Sequence, residues 1–328
     1  MKSIDIFPSY VVFWFRHLTT RPANQFMSLE LEKRIKKIKR VLNVERILSL
    51  SPDKSSIQKY YKINKIPYTV FHTGSDRIYM GISSDGIYKE DDLLGDARIV
   101  EEYILNRKAK TILELATGRG ANSYYLAKQF PHCKFLGLDI SDAQLSLATK
   151  KAKKVSNYFP ELGDYHDLSR FKDESVDIVF VVEALCYSTE KEKVLHEVCR
   201  VLKPDGLFVV FDGYLNKSSE SLSAIEKISC GLVEKGMALV NFESYKSFIE
   251  KAKSDFQVYK EEDLSKFVLP TMSRFENMSA RFFGYPNLAG IVSKILPTEF
   301  INNSVAGYLM APLVREGIYC YMLTILSK

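Results

Sequence analysis

Val176–Val182 (VDIVFVV) is an almost unbroken apolar run, too short for a core helix and rich in β-branched residues. It reads as a strand covered on both faces, the habit of parallel strands in α/β proteins. Its neighbours fit that reading. Thr111–Leu115 (TILEL), Lys134–Leu138 and Leu207–Phe211 are further short apolar segments. Between them lie helical patterns over about 122–130, 141–155 and 192–202, the last carrying Val194, Leu195, Val198 and Val201 on one face. A helix over about 96–107 precedes the first strand, and Lys203-Pro-Asp-Gly206 stops the last helix. This alternation predicts a doubly wound α/β sheet with its ligand at the strand C-terminal ends.

The flanking sequence is organised differently. Residues 28–50 read as one helix, with Leu31, Ile35, Ile38 and Leu42 on one side and Lys33, Arg34, Lys36, Lys37, Lys39 and Arg40 on the other. An irregular aromatic stretch from Ser55 to Asp92 holds Tyr60, Tyr61, Tyr68, Phe71, Tyr79 and Tyr88. After Tyr214 the alternation loosens. A helix over 245–252 and a strand near 256–259 are expected, then a stretch rich in Phe, Met, Tyr and Leu, then a strand over 318–325. The expected divisions are a helical N-terminal extension (1–54), a core with an N-terminal lid segment (55–213), an acceptor-binding lid insertion (214–317) and a final core strand (318–328).

Composition narrows the function classes. Charged residues at 26% and apolar ones at 46% exclude a largely disordered chain. A net charge of +6 over 328 residues is too mild to argue for nucleic acid. Neither NPPY nor DPPY occurs, so no nucleic-acid partner is expected. The five cysteines show no CxxC spacing and the five histidines no HxH or HExxH, which argues against disulfides and against a metal site. A reducing, cytoplasmic setting follows. Tyr10–Phe15 is too short to span a bilayer. With the basic helix behind it, it suggests a peripheral membrane contact through residues 1–50; the plainer reading, a helix packed on the domain with solvated lysines, stands beside it. Nothing in the sequence fixes an oligomeric state.

The sharpest local signal is Glu114-Leu-Ala-Thr-Gly-Arg-Gly120, directly after a strand and before a helix. Small residues there let backbone approach a ligand, and the helix start offers free N–H groups. Asp139 ends the next strand, where a carboxylate can accept two ribose hydroxyls. Ser141 and Gln144 have capping-box spacing. Glu183 ends the long apolar strand, the expected ligand edge, and is the acceptor-side candidate. His166 has the chemistry of a general base, against a plainer reading as a surface residue. Cys186 reads as packing. A dinucleotide site would want a third small residue three positions after Gly120; Ser123 stands there, so that rival is only partly excluded.

Taken together, ELATGRG, FLGLDIS, GDYHDLSRFKDESVDIVFVVEALCYS and VCRVLKPDGLFVV resemble the motif series of class I S-adenosylmethionine-dependent methyltransferases, most of all the branch with sterol C-methyltransferases. The resemblance implies a Rossmann-like sheet of seven strands, the last antiparallel. It implies S-adenosyl-L-methionine as cofactor, with Glu114, Ala116, Thr117, Gly118 and Gly120 at its methionine end. Asp139 would take the ribose, with Ile140 against the adenine and Gln144 as a further cofactor contact, and Asp164 and Tyr165 would meet the adenine edge. Glu183 and His166 are the catalytic candidates, and Tyr61, Cys186, Tyr187 and Phe283 the substrate-side ones. Ala116 replaces the usual first glycine, so crowding is expected in the turn. The expected function is methyl transfer to a small, largely apolar acceptor of lipid, isoprenoid or sterol type. The alternatives are O- or N-methylation of another small metabolite, or a catalytically silent cofactor-binding lipid carrier.

Overall fold

The computed structural model describes residues 30–53, 56, 59, 63 and 76–328. Tyr10–Phe15 and Tyr60, Tyr61, Tyr68 and Phe71 lie outside them, as does most of the proposed membrane segment. The chain divides into a sheet unit (Tyr79–Ser219, Phe242–Pro270 and Tyr319–Lys328) and a helical unit formed by the described residues up to Ile78 with Glu220–Asn241 and Thr271–Ile318. The expected 214–317 insertion is therefore shared between the two, and the N-terminal helical segment belongs with part of it.

The sheet unit follows the alternation read from the sequence. Its strands are β1 (Thr111–Leu115), β2 (Lys134–Asp139), β3 (Tyr158–Leu162), β4 (Val176–Val182), β5 (Leu202–Leu215), β6 (Gln257–Asp263) and β7 (Tyr319–Ser327). They form one seven-stranded sheet in the order β3-β2-β1-β4-β5-β7-β6. Strands β1 to β5 pair in parallel, and β7 runs antiparallel to both β5 and β6, as the resemblance implied. The order reverses direction between β1 and β4, so the loops after these two strands flank the crevice where such sheets bind ligands. In β4 only Asp177 interrupts the apolar run. Its carboxylate accepts from the Lys110 and Thr111 N–H groups and from Lys203, which removes the penalty of placing a charge there.

The described helices, numbered in chain order, begin with α1 (Leu31–Lys39), α2 (Val44–Leu48), α3 (Gly95–Arg107), α4 (Ala121–Gln129), α5 (Asp142–Ala152) and α6 (Lys191–Val201). There follow α7 (Ala224–Gly236), α8 (Tyr245–Ala252), α9 (Ser265–Gly284), α10 (Pro286–Ile295) and α11 (Thr298–Arg315). The face of α6 formed by Val194, Leu195, Val198 and Val201 is fully buried in a cluster with Leu113, Val179, Phe208 and Val210. β3 is a sheet edge with Phe159 and Leu162 exposed.

Two expectations in the helical unit need correction. The single helix over 28–50 is two: α1 ends at Lys39, and Asn43 restarts the chain by accepting the Arg46 N–H at 2.8 Å, the capping geometry asparagine favours. Arg34 is not on the solvated face. It lies between Leu31 and Ile38 on the buried stripe, fully covered. There its guanidinium meets Glu276 at 2.6 Å, donates to the Tyr308 carbonyl at 2.9 Å and sits 4.7 Å from the centre of the Tyr308 ring. Arg315 completes the pairing of Glu276. The apolar stripe of α1 is therefore occupied inside the unit, and no described helix is long and apolar enough to cross a membrane.

Candidate functional site

β1 delivers Glu114 into a turn of unusual backbone. Ala116, Gly118 and Gly120 all adopt left-handed φ values, 51°, 55° and 69°. At Gly120 only glycine fits, because a Cβ would lie 2.5 Å from the Tyr158 hydroxyl and 2.9 Å from Ala148 Cβ. At Ala116, where the family pattern has glycine, the left-handed backbone stores about 1–2 kcal/mol of strain. The Glu114 side chain folds back over the turn: one oxygen accepts from the Thr117 hydroxyl at 2.6 Å, the Ser123 hydroxyl, and the Ser123 N–H at 3.3 Å. Thr117 is held in turn by Tyr158 at 2.9 Å. Burial pushes the Glu114 carboxyl up to about 7, against the pull of these donors. Glu114 thus locks the turn to the start of α4.

Asp139, at the end of β2, is buried and spans the same turn. One oxygen accepts the Gly118 N–H and the other the Ser141 N–H, both at 2.8 Å. Burial raises its carboxyl above the ordinary range. Each oxygen has a second lone pair, so two hydroxyls can still be accepted. The Ser141–Gln144 capping box does not form: Ser141 makes no side-chain cap, and its N–H, which the box would give to Gln144, goes to Asp139. Gln144 instead accepts from Arg119 of the glycine turn at 3.2 Å, and its buried Nε2 has no partner among the described residues. That orphaned donor, with Asp139 beside it, suits a polar ligand lying across the turn. Ile140 is half-exposed just beyond.

The loop after β3 is tied down by its own side chains. His166 Nδ1 lies 2.6 Å from Asp164 and Nε2 lies 2.8 Å from the Ser188 hydroxyl. Both ring nitrogens are engaged, so His166 fastens this loop to the segment after β4. Tyr165 donates to the Ala184 carbonyl at 3.1 Å and keeps its ring against His166.

Glu183 follows β4 in a left-handed conformation, φ 49°, a strained geometry typical of functional positions. Its Oε1 accepts the Met80 N–H at 2.6 Å and the Tyr321 hydroxyl at 3.0 Å. Among the described residues Oε2 accepts no hydrogen bond. Burial, with Asp212 adding like charge, pushes this carboxyl up to about 7. Cys186 is buried, donates its N–H to Asp212 at 2.8 Å, and has its thiol held well above the ordinary range, which suits packing rather than nucleophilic chemistry. Tyr187 is half-buried next to it. Phe283 belongs to the helical unit, where it stacks on Tyr308 at 5.3 Å and meets Phe282 edge-on, as a core residue. Tyr61 lies outside the described residues.

Three residues absent from the sequence reading join the sheet unit's site: Tyr321 from β7, Asp212 from β5 and Asp96 from the first turn of α3. Only the order of the strands brings the first two near Glu183.

With this geometry in view, the comparisons are coherent. Residues 106–265 match the family model described as a methyltransferase domain. The chain is 34% identical to the demethylmenaquinone methyltransferase of Thermotoga maritima over 34% of its own length and 48% of that protein. It is 26% identical to the sterol 24-C-methyltransferase of Eremothecium gossypii over 50% of its length and 45% of that protein. The chain thus spans just under half of either relative. The crystal structure of the [4+2]-cyclase SpnF has the same fold, with a TM-score of 0.65 at 18% identity, covering 85% of this chain and 97% of that one. The stretch that carries the glycine turn and the acid ending β2 is similar to the class of methyltransferase domains. Within that class, its relatives include proteins named for sterols and for demethylmenaquinone.

Proposed function

We propose that this protein transfers the methyl group of S-adenosylmethionine to a small, largely apolar acceptor of lipid, isoprenoid or sterol type. When bound, the cofactor supplies an electrophilic methyl. Asp139 holds the ribose, Gln144 offers its spare donor nearby, the 116–120 turn takes the methionine end, and the Asp164–Tyr165 loop covers the adenine. The observation that carries the reading is the Glu183 carboxyl. It ends the central strand, is fixed through one oxygen by Met80 and Tyr321, and has the other oxygen open. With a pKa near neutrality it is matched to accepting a proton. At carbon, the new bond to the methyl forms as the bond to sulfur breaks, its electrons staying on sulfur. The acceptor then sheds a proton, and Glu183 Oε2 is the group poised to take it. Aromatic neighbours such as Tyr187 and Tyr321 favour positive charge on the acceptor in the interim. The sterol and demethylmenaquinone relatives support the acceptor class.

A silent, ligand-holding role on the same fold is the second reading, favoured by the likeness to a protein named as a cyclase. Incubation with methyl-labelled cofactor and lipid extract separates them. Label should enter the apolar fraction with wild-type protein. It should do so about a hundredfold more slowly with Glu183→Gln, at unchanged cofactor affinity. No transfer by the wild type to any lipid fraction would favour the silent role.

A further inference from the structure

Asp96 is the most anomalous group in the sheet unit. It lies in the first turn of α3, only 1% exposed, and neither of its carboxyl oxygens has a hydrogen-bond partner among the described residues. A buried acid with no donor is costly, and proteins seldom keep one without use. The helix start explains a preference for an acid at this position but supplies no donor to it. The groups acting on Asp96 most strongly are themselves acids, Glu183 and Glu114. The Tyr321 hydroxyl feels the fields of Glu183, Asp96 and Asp212 together, so these carboxyls share one region of the unit. No described group of His, Cys, Asp and Glu is arranged to hold a metal ion. A set of buried acids, one wholly without a partner, is complementary to an organic cation.

We propose that Asp96 is a binding residue for the cationic end of the cofactor, its partnerless carboxyl seated on α3 as the receptor for a sulfonium or an ammonium group. The proposal rests on the methyltransferase reading above. Asp96 complements positive charge in the region it shares with Glu114 and Glu183, the residues assigned to the methionine and acceptor sides. It also explains how the acids remain in the protein. Burial raises both carboxyls, Asp96 well above the ordinary range and Glu183 to about 7. A bound cation favours their ionised forms and so releases protons.

The test is calorimetry on the full chain with three probes: S-adenosylmethionine, with sulfonium and ammonium; sinefungin, with an amine in place of the sulfonium; and S-adenosylhomocysteine, with the ammonium alone. Asp96→Asn should bind the first two at least tenfold more weakly. Homocysteine-form affinity changed by less than threefold assigns Asp96 to the sulfonium position, and an equal loss with all three assigns it to the ammonium. Titrations in buffers of different ionisation enthalpy should show proton release on binding to wild type and less release in the variant. The ligand-free variant should melt no lower than wild type, because no internal bond is lost. Equal affinity of folded Asp96→Asn for all three probes, or a ligand-free variant that is clearly destabilised, overturns the proposal and leaves the methyltransferase reading intact. A wild-type protein that binds none of the three removes both.

Discussion

Glu114 offers a test in which the size of the effect follows from its surroundings. Its carboxyl has an ordinary value of 4.5 and is pushed to about 7 in the folded protein, chiefly by burial at 4% exposure. A carboxyl whose folded pKa is raised contributes fully to stability below its unfolded value. That contribution is lost as pH rises through the folded one. A shift of 2.5 corresponds to about 3 kcal/mol in total. Roughly 2.5 kcal/mol of it falls between pH 5 and 8.5, because the unfolded chain has already begun to ionise at pH 5. Glu114→Gln removes the titration while keeping an oxygen to accept from Thr117 and Ser123. Urea unfolding of the ligand-free protein should therefore show wild type losing about 2.5 kcal/mol more than the variant across this window. Equal pH slopes in the two proteins would refute the assignment of a buried, mostly neutral acid beneath the turn.

Further outcomes are expected at other positions. Asp139→Ala should weaken S-adenosylmethionine binding well over tenfold, from roughly 2–4 kcal/mol of lost charge-assisted hydrogen bonding, while nicotinamide dinucleotides bind poorly to either form; calorimetry reads both. Ala116→Gly relieves the left-handed strain at that residue, which exceeds the added flexibility of the unfolded chain, and should raise stability by about 0.5 kcal/mol in denaturant titrations. Arg34→Leu leaves Glu276 with only one of its two cationic partners in a buried setting and should cost about 3 kcal/mol. A loss below 1 kcal/mol would mean that Arg315 suffices alone.

What could be read in advance tracks where the physics is local. β1, β2, β4 and β7 declare themselves because strands buried on both faces need apolar runs. β3 carries Pro160 and polar residues at the sheet edge, so its sequence, YFPEL, has no such run. α11 is buried nearly all round and shows no stripe, and α9 runs through Pro270, which reads as a stop. α7 carries a signal that the sequence reading passed over: Ser223 and Glu226 form a capping box three residues apart. Glu114, Asp139 and Glu183 follow from their places at strand ends. Asp212 and Tyr321 do not, since their approach to Glu183 depends on which strands become neighbours, and Asp96 reads as nothing more than a helix start. Arg34 shows the limit of residue type as a guide: helical spacing from Leu31 and Ile38 puts it on the buried face, but its charge suggests the opposite.

The two donors that fix Glu183 come from residues 80 and 321, whereas the family match runs from 106 to 265. A fragment trimmed to that match would contain the glycine turn and every strand from β1 to β6, yet β5 and β6 would face each other across the space that β7 fills. Glu183 would keep its place in the chain and lose both anchors, and Tyr79, which donates to Asn122 at the start of α4, would be gone as well. Under the proposed function, the recognisable stretch would hold the cofactor, while the carboxyl it offers the acceptor is aimed from outside it. Exchange of methyltransferase modules between proteins should move cofactor binding readily. Turnover should move only when the segment around Met80 and the last strand travel together.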